Sequence, residues 1–200
     1  NYHLMKNIAI LAGGDSSEFP VSMNSAKTIR ERLDKSLYNV YMIIVRGKEW
    51  KMDSPEEEEI YVNKEDFSCS IRGETIRFDC AFIMIHGTPG ENGILQGYFE
   101  TLQVPYTTSG ILASSMTFNK VFSKNYVRYH QVPTSEFHVI RQGESYDADD
   151  IISQTGLPAF VKPNRGGSSF GVTKVFDEKE LHAAIEKAFE EDYEVLIEEF

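Results

Sequence analysis

The sequence predicts an α/β fold, and three observations carry that reading. Short apolar runs alternate with segments whose apolar residues recur at helical spacing, the order expected of a parallel sheet covered by helices on both faces. Two of those runs, Ile8 to Ala12 and Asp79 to Ile85, end in glycine-bearing loops, Gly13-Gly14 and His86 to Gly93. Ligands of such sheets bind beyond the carboxyl ends of the strands, so both loops stand where a site is expected. The second half of the chain changes character. This places a boundary near residues 107–118 and divides the chain into an N-terminal α/β domain, residues 1–112, and a second domain, residues 113–200.

The elements follow in order. Ile8 to Ala12 reads as a buried parallel strand stopped by two glycines. Ser22 is the expected cap of the next helix, with Ala26, Ile29 and Leu33 on its apolar face. Val40 to Val45 is the second strand. The stretch Gly47 to Arg77 is polar and irregular and suggests no more than a small hairpin. After the strand Asp79 to Ile85 come a helix from Ile94 to Leu102, a short strand from Val104 to Thr107 and a helix from Ser109 to Met116. The second half reads as a helix from Asn119 to His130, a strand from Glu136 to Ile140 and a helix from Asp147 to Thr155. Ala159 to Pro163 and Val172 to Val175 are strands on either side of a glycine-serine loop. Asp177, with Glu180 three residues on, opens a capped helix carrying Leu181, Ala184, Ile185, Ala188 and Phe189 on one face. Val195 to Ile197 is the last strand.

Composition narrows the function classes. Of 200 residues, 41% are hydrophobic and 26% charged, an ordinary balance for a soluble globular protein. No run approaches the ~20 apolar residues of a membrane span. Asn1 to Lys6 is too short and polar for a signal peptide, so a cytoplasmic protein without membrane attachment is expected. Cys69 and Cys80 lack the spacing of a zinc or redox motif and read as small packing residues. A net charge of −11 argues against a nucleic-acid partner, because phosphate backbones need a basic surface. The acidic clusters Glu56 to Glu59 and Glu190 to Asp192 read as solvated turns or helix ends.

Chemistry concentrates in Lys162-Pro163-Asn164-Arg165-Gly166-Gly167-Ser168-Ser169-Phe170-Gly171, between two strands. Paired glycines let backbone amides approach an anion, two serines add donors, and Lys162 brings a point charge suited to phosphate. Glycines alone would read as a hairpin turn; the lysine and serines favour an anion loop. A Walker loop is excluded, because no Gly-Lys-Ser/Thr is present and a strand follows where a helix should.

Lys-Pro-x-x-x-Gly-Ser-Ser-x-Gly, here Lys162 to Gly171, resembles the phosphate-covering loop of the D-alanine–D-alanine ligases of the ATP-grasp family. Gly13-Gly14-x-Ser16-x-Glu18-x-x-Val21-Ser22 is similar to the family's first-substrate loop. His86-Gly87-x-x-Gly90-Glu91-x-Gly93-x-x-Gln96-Gly97 is similar to its second signature. Pro105-Tyr106-Thr107-x-Ser109-Gly110, with Lys120 and Lys124 after it, completes an ordered set that spans essentially the whole chain. The resemblance implies a Rossmann-like, pre-ATP-grasp domain that binds substrate, then the first α+β subdomain of an ATP-grasp fold.

It also implies roles. Glu18 would hold the ammonium of the first D-alanine, His86 would sit beside the substrate carboxylate, and Ser168 would join the network that holds the substrates. Lys120 and Lys162 would hold the ATP phosphates under the loop of Gly167, Ser168 and Ser169. The Glu198 side chain would serve the adenine amino group and the Glu199 backbone the ring edge, with Phe200 packed near the base. The family often has lysine at the position of Glu199. Lys124 reads as a surface lysine, and Tyr98 and Tyr106 as packing residues. The implied activity is ATP-dependent ligation of two D-alanines through an acyl phosphate, for bacterial peptidoglycan, with a homodimer formed through the N-terminal domain.

ATP and Mg2+ are the implied cofactors, but no metal ligand is assigned within the chain. The family holds magnesium through an acidic residue and a Glu-x-Asn pair on later strands, near a catalytic arginine. After Lys162 the only asparagine is Asn164 and the only arginine Arg165. These groups and the ribose carboxylate are therefore expected beyond Phe200, and the chain ending there is expected to be inactive alone. Two other readings stay open: a ligase of the D-alanine–D-lactate type, and, for the chain itself, a non-catalytic nucleotide-binding module. A Rossmann dehydrogenase is disfavoured, since Gly13-Gly14 lacks the third glycine of that fingerprint.

Overall fold

The computed structural model describes residues 5–54 and 59–200. Most of the Asn1 to Lys6 stretch and of the Glu56 to Glu59 cluster lies outside the described residues. The chain forms two compact units, Asn1–Ser115 and Met116–Phe200.

In the first unit the strands β1 (Lys6–Gly13), β2 (Tyr38–Arg46) and β7 (Cys80–Ile83) run parallel, with β3 (Glu49–Met52) antiparallel on the edge, in the order β3-β2-β1-β7. Ala9, Ile10, Leu11 and Ala12 are all fully buried, as a strand covered on both faces requires. Ala9 and Leu11 face one apolar cluster; Ile10 and Ala12 face another with Ala26, Met23, Ile29 and Leu33 of α1 (Phe19–Arg32). Helix α2 (Ile94–Leu102) adds Leu95 and Phe99 to the first cluster.

Three sequence expectations are corrected here. Ser22 is not the helix cap: α1 begins at Phe19 with Glu18 at the N-cap and Pro20 in its first turn. The Ser22 hydroxyl accepts from the Gly13 N–H and donates to the Met84 carbonyl, both at 2.8 Å, tying the helix to two strand ends. The stretch Gly47 to Arg77 is more than a hairpin. It holds β3 and a small sheet of β4 (Val62–Asn63), β5 (Ser68–Ile71) and β6 (Glu74–Arg77), and it sends Trp50, Met52, Val62, Phe67 and Cys69 into the core. Its core residues alternate, Trp50 with Met52, Ile60 with Val62 and Phe67 with Cys69, but in runs too short to stand out among the polar residues around them. Val104 to Thr107 makes one bridge, Tyr106 to Ala81, rather than a strand, because Pro105 lacks an N–H to donate.

Tyr98 packs edge-on against Trp50, Phe67 and Phe99, and its hydroxyl donates to the Lys64 carbonyl. Burial pushes its pKa to about 12 and that of the Cys69 thiol to about 11, so both stay protonated packing groups.

Helix α3 (Ile111–Phe118) crosses from the first unit into the second. The second unit then runs through α4 (Lys120–Tyr129), β8 (Phe137–Arg141), α5 (Ala148–Thr155), β9 (Ala159–Pro163), β10 (Thr173–Val175), α6 (Glu178–Phe189) and β11 (Glu194–Glu199). Its sheet is antiparallel throughout, in the order β10-β9-β11-β8. Asp177 and Glu180 form the capping box at the start of α6. Val161, Val175, Val195 and Ile197 pack on one face of the sheet against Leu181, Ile185 and Ala188 of α6 and Ile151 of α5.

Candidate functional site

Pairing in the second unit's sheet decides which side chains share its other face. Val161 and Ile197 pair and point at the helices, so Lys162 opposite Leu196, and Phe160 opposite Glu198, point away from them. Phe137, opposite Glu198 on β8, lies on the same face. There Lys162, Glu198, Lys120, Gly167, Ser168 and Ser169 line one cavity of about 410 Å³, with Phe160, Phe170 and Val172 supplying an apolar wall. Six of the residues singled out in the sequence are thus brought together. Glu199 does not line the cavity; it is exposed, and its N–H donates to the Glu136 carbonyl at 3.0 Å. Phe200 packs on Phe160 with ring centroids 5.6 Å apart, and the Lys174 ammonium lies over its ring.

The cations come from two elements. Lys162 is on β9, while Lys120, Lys124 and Arg128 repeat every four residues along one side of α4. Asn119 caps α4, its side chain accepting from the Phe122 N–H. The Lys120 ammonium donates to the Gly166 carbonyl at 2.8 Å, the base of the glycine-serine loop. Glu198 accepts from Lys162 on Oε1 and from Lys124 on Oε2, the latter at 2.8 Å. Burial works to raise the Glu198 pKa, but hydrogen bonds from Lys124 and Lys162 outweigh it, and the carboxyl is held below its ordinary value. Lys124 is therefore not a surface lysine: its side chain is 15% exposed and lies behind Glu198. Sequence spacing put it on the right helix face, but only the fold shows what that face covers.

The loop is anchored from below. Arg165 donates from Nε and from its backbone N–H to Asp192 Oδ2 and from a terminal nitrogen to Oδ1, at 3.0, 2.6 and 2.5 Å. Asp192, expected in a solvated cluster, is instead buried by this clamp. Fully buried Asn164 accepts from the Val121 N–H and donates to Glu194. Ser168 and Ser169 both have positive φ, +47° and +61°, a conformation that is costly for residues with a side chain. The two glycines before them do not carry that strain. Sequence reading credited the glycines, took Lys124 for a surface lysine and Asp192 for part of a solvated cluster, and gave Asn164, within the loop motif, no role.

The first unit holds a second cluster where β1 and β7 end side by side. Gly14 takes φ +97°, and a Cβ there would lie 2.6 Å from the Ile85 side chain, so the turn needs glycine. Glu18 follows at the N-cap of α1, only 3% exposed, where the helix N-terminus favours an anion. Ser16 Oγ donates to the His86 carbonyl at 3.0 Å and accepts from the Glu18 N–H at 3.2 Å. A Cβ on Gly87 would come within 3.3 Å of Glu18 Oε2, so the glycine leaves room beside the carboxylate. His86 Nε2 lies 3.3 Å from Ser25 Oγ, a partner unmarked in the sequence. Gln96 supports the loop from inside, donating to the Gly90 carbonyl and to Thr108.

These arrangements suit different chemistry. A lysine-lined cavity with an apolar wall and an ionised carboxylate suits a polyanion joined to a flat heterocycle. A buried carboxylate at a helix N-terminus, beside the loop that carries His86, suits a small cationic or zwitterionic group. Among the described residues no three His, Cys, Asp or Glu converge to hold a metal ion. Nor is any helix among them long and apolar enough to cross a membrane.

Family models described as the D-ala D-ala ligase N-terminus and C-terminus match residues 7–109 and 126–200. The chain is 46% identical over 197 residues to a D-alanine–D-alanine ligase of Phocaeicola vulgatus and 45% identical to one of Bacteroides fragilis (strain YCH46). Each alignment covers 98% of this chain, which spans 61% of the length of either relative. Among solved structures, D-alanyl-alanine synthetase A of Vibrio cholerae gives a TM-score of 0.85 at 29% identity, covering 98% of this chain and 59% of that one. The VanG D-Ala:D-Ser ligase of Enterococcus faecalis gives 0.81 at 30%, covering 98% and 63%. The D-alanine–D-alanine ligase of Bacillus anthracis complexed with ATP gives 0.73 at 30%, covering 98% and 59%.

Proposed function

The chain belongs to the D-alanine–D-alanine ligase family, and from that membership we propose that its protein joins two D-alanines at the expense of ATP. The carrying observation is the convergence of Lys120, Lys162, Gly167, Ser168, Ser169 and Glu198 on one cavity. In this reading Lys120 and Lys162 hold the ATP phosphates, and the glycine-serine loop covers them. Phe160 packs on the adenine, whose amino group donates to Glu198. Glu18 holds the ammonium of the first D-alanine, with His86 near its carboxylate; Ser168 adds a hydroxyl to the substrate network.

ATP then phosphorylates the carboxylate of one D-alanine. The amine of the second attacks the acyl phosphate, and phosphate leaves from the tetrahedral intermediate. Catalysis of this kind is positioning plus charge stabilisation: fixed ammonium groups stabilise the transferring phosphoryl group more in the transition state than before it. Closure of the loop keeps water from the acyl phosphate. The dipeptide would serve peptidoglycan synthesis in the cytoplasm, by a homodimer.

A second reading concerns the second substrate, because the D-Ala:D-Ser ligase is as similar in sequence as the D-alanine–D-alanine ligases among the solved structures. The test is phosphate release from ATP by the full-length protein with D-alanine, D-serine, D-lactate or L-alanine added. Release with D-alanine alone is expected. Release only when D-serine or D-lactate accompanies D-alanine would change the second substrate, and release indifferent to any of them would remove the ligase reading.

A further inference from the structure

Two lysines share the Glu198 carboxylate, and they are not equivalent. Lys162 lines the cavity, whereas Lys124 stands behind the carboxylate, outside the lining. Lys124 is also the better anchored: it donates to Ser135 Oγ at 2.6 Å as well as to Glu198 Oε2 at 2.8 Å, and lies 5.4 Å from the centre of the Phe137 ring. Its neighbours along α4 are engaged elsewhere, Lys120 with the Gly166 carbonyl and Arg128 with Thr134 and Glu136.

We propose that Lys124 is a positioning residue for base recognition, holding Glu198 ionised and aimed into the cavity so that Lys162 can leave it for phosphate. The inference rests on the ATP reading above and deepens it. When Lys162 turns to a phosphate, Glu198 Oε1 loses its donor, and a purine 6-amino group can take that place. The carboxylate side chain is only 13% exposed, and a carboxylate so enclosed is destabilised without a cation. Lys124 supplies that cation throughout. Without it, Glu198 has no cation once Lys162 turns to phosphate, and the oxygen facing the base is neither charged nor fixed.

The test is equilibrium binding of ATP and of purine riboside triphosphate, which lacks only the 6-amino group, to the full-length protein. The wild type is expected to prefer ATP by about tenfold or more, as a hydrogen bond to a charged acceptor allows. Lys124→Met should weaken ATP by about tenfold and the analogue by less than about twofold, erasing the preference. Lys124→Gln carries the same expectation should the methionine variant fold poorly, and Lys124→Arg should restore the preference. Equal weakening of both nucleotides in either uncharged variant, or none, overturns the positioning role. So does a wild type that binds both equally. A wild type that binds neither overturns the ATP reading itself, and the inference with it.

Discussion

Glu18 and Lys162 are single groups whose surroundings set their use. Glu18 is a nearly buried carboxylate at a helix N-terminus, with room beside it left by Gly87. Lys162 is a strand lysine paired with Glu198 on the cavity face. The two should separate kinetically. Glu18→Gln removes the charge that attracts an ammonium, so it should raise the D-alanine concentration needed for half-maximal phosphate release by about tenfold or more, with ATP affinity little changed. Lys162→Ala should weaken ATP binding by about tenfold or more and abolish turnover. An unaltered D-alanine dependence in the first variant, or unaltered nucleotide affinity in the second, would remove that residue from its role. Lys124 shows the limit of residue-level reading: its helical spacing from Lys120 was visible, but its partner lies 74 positions away.

At the scale of elements, the glycine-serine loop is held by what lies beneath its strand ends. Arg165 is clamped by Asp192, two residues before β11, and the Asp192 side chain is only 4% exposed. Asp192→Ala should cost about 2 kcal/mol, because the guanidinium of Arg165 and the backbone N–H both lose their acceptor. The surface pair Arg30–Asp53, with both side chains more than a third exposed, makes the control: Asp53→Ala should cost about 0–1 kcal/mol. Urea denaturation of both variants checks this, and equal losses would mean the clamp is no stronger than a surface pair.

At the scale of the molecule, each unit has its own core. Phe67 is central to the aromatic group of the first, in contact with Trp50, Phe78, Tyr98 and Phe99, and Ile185 is fully buried in the second. Phe67→Ala should cost about 3–5 kcal/mol and Ile185→Ala about 2–5 kcal/mol, with losses additive within about 0.5 kcal/mol. Hydrogen exchange locates each loss: Phe67→Ala should lower protection in β1 and β2, and Ile185→Ala in β9 and β11. Protection falling equally in both units for either variant would contradict separate cores.

By itself the sequence determined the α/β class, most of the helices and strands, the capping box of α6 and the ordered motifs of the ligase family. These are local: periodicity, capping and turn chemistry act within a few residues and can be read in a line. It did not determine the small sheet between Gly47 and Arg77, whose strands are only two to four residues long and alternate too briefly to stand out, nor the partner of Ser22. Tertiary structure alone decided that Lys124 stands behind Glu198, that Asp192 is buried under Arg165, and that Lys120, Lys162 and Glu198 share a cavity. Each depends on which strands pair and in what register, because a shift of one residue turns every side chain of a strand to the other face.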